Sequence, residues 1–243
     1  MKIALVTGAY KGLGKEICLQ LAEEGYTVIL TARSMEKAEA AAEVLRQDHG
    51  HVLARTLDVS NEQEIQQLAE WVEAEFGHLD LLVNNAGINS KDNPDKEVFM
   101  KNFRLDMLDA EQVLEHIRIN SIAPILMVKH FRQLLRRSSR PVVVSIGSWL
   151  GSVSVKNSGG HYSYATSKSA LNMMNKAMAL ELKEEGIIAV VVNPGWVQTD
   201  MGGSKAPLTP EESVNGIVNN VIKRVKIADT GKFLQWDGTE HPW

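Results

Sequence analysis

Ile3-Ala-Leu-Val-Thr7-Gly-Ala-Tyr-Lys-Gly-Leu-Gly14 is the stretch that decides the fold. An unbroken apolar run reads as a strand covered on both faces. Three glycines follow in the spacing Gly-x-x-x-Gly-x-Gly. Leu13, Ile17 and Leu21 then recur at helical spacing, with Cys18 on the same stripe. Strand, glycine turn, helix is the opening unit of a doubly wound sheet. Gly8, Gly12 and Gly14 allow a tight turn and a close backbone approach. The helix N-terminus behind them faces an anion. Gly8, Tyr10, Lys11, Gly12, Leu13 and Gly14 are therefore candidate contacts to a dinucleotide. Tyr10 is bulky for such a loop and has two readings, stacking over the ligand or standing exposed.

Working outward, strand-like runs recur at 3–7, 27–31, 52–57, 79–84, 141–146, 187–192 and 233–235, with helical patterns between them. Ser60-Asn-Glu-Gln63 reads as a capping box ahead of Ile65, Leu68, Val72 and Phe76. Thr209-Pro-Glu-Glu212 reads as a second box with proline in the first turn. Leu171, Met174, Met178 and Leu182 form an apolar stripe, read as core. This alternation predicts one α/β domain over residues 1–243, built on a parallel sheet with helices on both faces. The window 88–109 breaks the pattern. It is polar but carries Phe99, Met100, Phe103 and Leu105. It reads as a surface excursion with a short extra helix, and a roof over the site or a subunit contact are its other readings.

The chain has 243 residues, 44% hydrophobic and 23% charged, which is ordinary for a globular protein of this size. Its net charge of −4 argues against a nucleic-acid or anionic-membrane partner. The cluster Arg132, Arg136, Arg137 and Arg140 reads as solvated cations at a helix C-terminus. One cysteine excludes an internal disulfide, and the scattered histidines offer no metal site. No apolar run is long enough to span a bilayer, so a soluble cytoplasmic protein is expected. Nothing in the sequence counts subunits, and a homo-oligomer is an open expectation.

The end of the second strand chooses between dinucleotides. An NAD binder usually carries an acid there for the ribose 2′-hydroxyl. Here Val28-Ile-Leu-Thr-Ala-Arg33 ends on a guanidinium suited to a 2′-phosphate, and Lys11 adds a second cation. The pattern favours NADP(H).

Tyr164-Ala-Thr-Ser-Lys168 places a phenol and an ammonium four residues apart on one helix face. A nearby cation favours phenolate and lowers the tyrosine pKa. Tyr164 then becomes a candidate general acid/base. Tyr162 lacks a lysine at the same offset. Pro124 has no N–H, so the Asn120 carbonyl loses its usual helical partner. Water is the natural replacement, giving a candidate proton route behind Lys168.

With these motifs the chain resembles the short-chain dehydrogenase/reductase family along its length. Thr7-Gly-x-x-x-Gly-x-Gly14, Asp58-Val59, Asn84-Asn-Ala-Gly87, Ser148 ahead of Tyr164-x-x-x-Lys168, and Asn193-Pro-Gly195 stand in the family's order. Lys11, Arg33 and Pro194-Gly-Trp-Val-Gln-Thr-Asp-Met201 look like its carbonyl-reductase members. The resemblance implies a Rossmann-type sheet of about seven strands, ordered 3-2-1-4-5-6-7. It implies that Asp58 and Val59 hold adenine and that Asn85, Ala86 and Gly87 line the adenine-ribose side. Asn120, Ser148, Tyr164 and Lys168 would form the catalytic tetrad. Ser148 is preferred over Ser145, which belongs to the strand. Lys168 would also bind the nicotinamide ribose. Pro194, Gly195, Val197 and Thr199 would hold the carboxamide.

The implied reaction is reduction of a ketone, aldehyde or quinone to an alcohol. Trp149, His161, Tyr162 and Trp196 flank the expected site and suggest a bulky or aromatic substrate, and one or more of them packing inward is the rival reading. Residues 200–207 make only a short lid. A 3-oxoacyl-thioester reductase and a non-catalytic NADP-binding regulator are the alternatives.

Overall fold

A computed structural model describes residues 1–47, 51–93 and 95–243. Seven parallel strands form one sheet in the order β3-β2-β1-β4-β5-β6-β7. They are β1 (Lys2–Val6), β2 (Tyr26–Ala32), β3 (Val52–Thr56), β4 (Leu81–Asn84), β5 (Val142–Ile146), β6 (Ile188–Asn193) and β7 (Phe233–Gln235). Every expected strand is present. The order reverses between β1 and β4, which opens a crevice at the strand C-termini where open α/β sheets bind ligands.

Alternating side chains feed two cores. Ala4 and Val6 of β1, with Val190 and Val192 of β6, pack against α1 (Gly12–Glu23), α2 (Met35–Arg46) and α8 (Pro210–Gly216). Ile3, Leu5, Val143 and Ala189 point the other way. They meet α3 (Glu62–Phe76), α6 (Ala123–Arg136) and the far half of α7 (Tyr162–Lys183). Cys18 is fully buried in the first core, as its place on the stripe implies. On α7 beyond Lys168 the buried positions are Leu171, Asn172, Asn175, Ala179 and Leu182; Met174 and Met178 flank them, half-buried.

One local expectation differs. The cap of α3 is Asn61, whose side chain accepts from the Gln63 N–H, and not Ser60. Asp58 takes the Ser60 N–H at 2.9 Å and its hydroxyl at 2.7 Å, which leaves the capping role to the next residue. The Thr209 box on α8 forms as read.

The window 88–109, apart from position 94, carries the short extra helix expected of it. It holds a 3-10 turn at Ser90–Asp92, α4 (Lys96–Phe103) and a second 3-10 turn at Leu105–Met107. Phe103 stacks on Phe99 and meets the His161 ring edge-on at 4.7 Å. A Cβ on Gly160 would lie 2.6 Å from the Phe103 ring. The window thus leans on the N-terminus of α7.

After α5 (Ala110–Ile117) the backbone makes a π-helical turn over Arg118–Ile122, closed by the Ala123 N–H on the Arg118 carbonyl. Pro124 follows in the first turn of α6. A π turn just ahead of a proline is a recognised source of a local bend. The arginines at 132–140 are engaged. Arg132 pairs with Glu185, and Arg137 with Glu73 at 2.8 Å. Arg140 donates to the Ile222 and Val225 carbonyls. Among the described residues no helix is long and apolar enough to cross a membrane.

Candidate active site

A cavity of about 760 Å³ lies at the β1/β4 crevice. The glycine loop forms its floor. Gly8 has φ +61, and a Cβ there would lie 2.9 Å from the Ala86 Cα. A Cβ on Gly14 would lie 2.8 Å from the Ala9 Cα and 2.5 Å from Asn85 Nδ2. Both positions therefore exclude any side chain. Thr7 Oγ1 accepts from the Asn85 and Ala86 N–H groups at 3.0 Å. Asn85 Nδ2 donates back to the Thr7 and Gly8 carbonyls. The Asn84–Gly87 loop and the glycine loop are thereby one unit.

The first turn of α1 has neither a side-chain cap nor an acidic residue. Its unpaired N–H groups and positive dipole end are left for an anion. With glycines where a side chain would collide, the floor fits the pyrophosphate of a dinucleotide.

Tyr10, Lys11, Gly12, Leu13 and Arg33 reach the cavity, as do Asp58 and Val59. Burial pushes the Asp58 pKa up. The Ser60 hydroxyl and N–H, with the Arg33 and Arg118 charges, outweigh it and hold the carboxyl below its ordinary value. Asn85, Ala86 and Gly87 line the opposite wall.

Tyr164 and Lys168 stand on the same cavity, both buried. Lys168 Nζ donates to the Ile146 carbonyl at 2.7 Å and lies 5.8 Å from the Tyr164 ring centroid. Burial pushes the Lys168 pKa down to about 8. Ser148 follows β5 and is 8% exposed, its Oγ accepting from the Leu150 N–H. Its loop docks on α7. Ser169 Oγ and Asn172 Nδ2 donate to the Gly151 carbonyl, and a Cβ on Gly151 would collide with Lys168 at 2.8 Å.

Asn120 lies one layer behind. Its Nδ2 donates to the Ile88 carbonyl and Ser167 Oγ, and its Oδ1 accepts from the Ile88 N–H. Gly87 faces it, with space for no more than a tight Cβ 3.1 Å from Asn120 Oδ1 and 3.8 Å from Lys168 Nζ. Pro194 and Thr199 line the cavity, but Gly195 and Val197 do not. Gly195 is pressed against Leu208 and Trp236, and Val197 is buried and bridged to Leu208.

None of Trp149, His161, Tyr162 and Trp196 lines the cavity. His161 packs on Phe103, whereas Trp149 and Trp196 are 41% and 48% exposed. Trp196 Nε1 donates to the Gly202 carbonyl. Residues 200–207 are held by short-range bonds, Gly203 N–H to Thr199 and Gln198 Nε2 to the Ala206 carbonyl.

Sequence reasoning missed Ser34, Lys37 and Asp200, all on the cavity wall. Ser34 caps α2 directly after Arg33. Arg33 precedes the extended cap and Lys37 lies in the first turn, so helical spacing does not relate the two, and it is the cavity wall that brings them together.

The family model for short chain dehydrogenase matches residues 2–208. The chain belongs to the short-chain dehydrogenase/reductase family. The NADPH-bound carbonyl reductase from chicken fatty liver superposes with a TM-score of 0.88 at 29% identity, covering 100% of both chains. The carbonyl reductase Sniffer of D. melanogaster gives 0.87 at 29%, covering 100% of this chain and 99% of that one. The 3-oxoacyl-[acyl-carrier-protein] reductase FabG of Staphylococcus aureus (strain Mu50 / ATCC 700699) is 32% identical over 244 residues, 99% of this chain and 93% of the relative.

Proposed function

We propose that the protein is an NADP(H)-dependent oxidoreductase that reduces a ketone, aldehyde or quinone carbonyl to an alcohol, reversibly. One observation carries this reading: Tyr164 and Lys168 share a cavity wall with a glycine loop that no side chain can enter. When bound, NADP(H) supplies the hydride. Gly8, Gly12 and Gly14 with the start of α1 would hold the pyrophosphate. Arg33 would meet the 2′-phosphate, and Asp58 the adenine.

Tyr164 and Ser148 hydroxyls would donate to the substrate oxygen, where negative charge develops. Tyr164 would pass its proton to that oxygen, and the Lys168 ammonium would favour the phenolate left behind. Asn120 holds the wall behind Lys168 through Ile88 and Ser167. A bulky or aromatic substrate would have to extend beyond the cavity that Tyr164 lines to reach the exposed Trp149 and Trp196. A cytoplasmic setting belongs to the same reading.

The acyl-carrier-protein reductases among the relatives support a 3-oxoacyl-thioester as the second substrate class. Against it, Arg132, Arg137 and Arg140 are committed to partners within the chain and offer no free basic patch. A non-catalytic NADP-binding regulator would not need all four of Asn120, Ser148, Tyr164 and Lys168.

The test follows NADPH oxidation with aryl ketones, aldehydes, quinones and a 3-oxoacyl thioester, for the wild type and Tyr164→Phe. Turnover of carbonyls that Tyr164→Phe abolishes is expected. Normal turnover by Tyr164→Phe would remove the acid/base assignment, and NADPH binding without any turnover would favour the regulator.

A further inference from the structure

The ladder between β5 and β6 runs one residue past the strands, where the Gly147 N–H donates to the Val192 carbonyl at 2.8 Å. The next rung of a parallel ladder would be the Pro194 N–H on the Gly147 carbonyl, and proline has none. Beyond it the two chains part. One enters the 3-10 turn Trp149–Gly151, directly after Ser148; the other turns through Gly195 at φ +81. The Asn193 side chain spans the gap. Its Oδ1 accepts from the Trp149 N–H and from the Gly195 N–H, each at 3.2 Å. Two N–H donors can be met only by the oxygen end of the amide, which fixes its orientation. Asn193 is buried, and its own backbone is anchored. Its carbonyl takes the Trp236 N–H at 2.9 Å, and Ser213 Oγ donates to the Pro194 carbonyl at 2.7 Å.

Gly147 and Pro194, one on each side of this link, both line the cavity. Ser148 Oγ accepts from the Leu150 N–H at 3.2 Å, which leaves its proton to donate outward. We propose that Asn193 is a positioning residue for carbonyl reduction: its one buried oxygen holds the Ser148 turn and the Pro194–Gly195 turn in a single frame, so that the Ser148 hydroxyl meets the substrate oxygen beside the nicotinamide. The inference rests on the carbonyl-reduction reading above, in which Ser148 donates to that oxygen. Asn193 does not line the cavity and acts through Ser148. Without its oxygen the Trp149 and Gly195 amides lose their acceptor, and the two turns are free to move apart.

Amide hydrogen exchange of the cofactor-free protein gives the first test. In Asn193→Leu, which keeps the size and removes the acceptor, the Trp149 and Gly195 amides should exchange at least about tenfold faster. In Asn193→Asp, which keeps the acceptor, they should exchange near the wild-type rate. Unchanged exchange of the two amides in Asn193→Leu would overturn the proposal. Turnover of the carbonyl panel above with NADPH gives the second test. Asn193→Leu should lower kcat roughly five- to twentyfold, with KM and the NADPH Kd within about threefold of wild type. Asn193→Asp should recover most of kcat. In the Ser148→Ala background, Asn193→Leu should cost less than about a further twofold, because the group it positions is already gone. The full loss repeated in that background would show Asn193 acting elsewhere and overturn the proposal, as would an NADPH Kd raised about tenfold. If Asn193→Leu does not fold, Asn193→Asp decides, and turnover as low as that of Ser148→Ala overturns the proposal. Normal turnover by Ser148→Ala, or none by the wild type on the whole panel, would remove the carbonyl-reduction reading and the proposal with it. If Ser148→Ala is slow and Asn193→Leu is not, only the role of Asn193 is lost.

Discussion

Lys168 Nζ donates to the Ile146 carbonyl at 2.7 Å, tying the helix that carries Tyr164 to the last residue of the fifth strand. This bond holds a lysine in a place where its charge is costly. Burial has brought its pKa from 10.5 to about 8.

That shift predicts opposite pH trends for stability and activity. Between about pH 8 and 10.5 the unfolded lysine is protonated and the folded one is not. The unfolded state binds more protons there, so the stability contributed by this site rises with pH. The burial penalty is complete below the folded pKa, on the order of 3 kcal/mol, and gone above the unfolded one. Cys18 and Tyr26, whose pKa values burial raises, act in the other direction. The comparison with Lys168→Met isolates the lysine. Denaturant unfolding should show the wild type gaining on Lys168→Met from pH 8 to 10.5. Carbonyl reduction should decline over the same range, as the cation beside Tyr164 is lost. Parallel pH profiles for the two proteins in unfolding would show that Lys168 is charged throughout.

The glycine loop predicts a substitution that separates strain from collision. Gly8→Ala places a residue at φ +61 and drives its Cβ to 2.9 Å from the Ala86 backbone. Gly25→Ala has the same kind of conformation, φ +78, with nothing within 4 Å. Each should lose about 1–2 kcal/mol of stability from the backbone alone. Only Gly8→Ala moves the loop that would hold the pyrophosphate, so its NADPH Kd should rise at least about tenfold, a loss of ~1.4 kcal/mol. Isothermal titration of both variants checks this. Equal NADPH affinity in the two would place the pyrophosphate elsewhere.

What the sequence made legible was the part encoded locally. Buried parallel strands appear as apolar runs, and β5 is Val-Val-Val-Ser-Ile with every residue covered. The glycine spacing and the tyrosine–lysine offset are also local. What stayed illegible depends on partners distant in the chain. Ser60 looks like a cap until Asp58 claims its hydroxyl. Phe103 looks like a stray aromatic in a polar window until Gly160 and His161 come under it. Lys11 looks like a free cation until Asp200 arrives from the far side of the sheet.

The Phe103 contact carries its own prediction. His161 caps α7 from the left-handed region, φ 58 and ψ 33, which is uncommon for a residue with a side chain. Its ring is held against Phe103 three residues before Tyr164. Phe103→Ala removes that support, costs about 1–3 kcal/mol of stability and loosens the first turn of α7. Turnover should fall roughly three- to tenfold while the NADPH Kd stays within twofold, because the glycine loop is untouched. Phe103→Leu should recover most of the turnover. A purely global loss of stability would not split kcat from cofactor affinity in this way.

The π turn ahead of Pro124 gives the last test. Proline cannot donate to the Asn120 carbonyl, and the backbone from Arg118 to Ile122 is already wound past the α-helical register. Asn120 itself sits against Ile88 and Ser167, beside the Gly87–Lys168 contact. In the proposed mechanism a carbonyl left without that donor would hold water, and the water would resupply by way of Lys168 the proton that Tyr164 would give up. Pro124→Ala restores an N–H at the i+4 position and competes for that carbonyl. Turnover should then slow several-fold, with a solvent isotope effect larger than that of the wild type and an unchanged NADPH Kd. Equal turnover in Pro124→Ala would leave the proline as a helix bend alone and remove the relay.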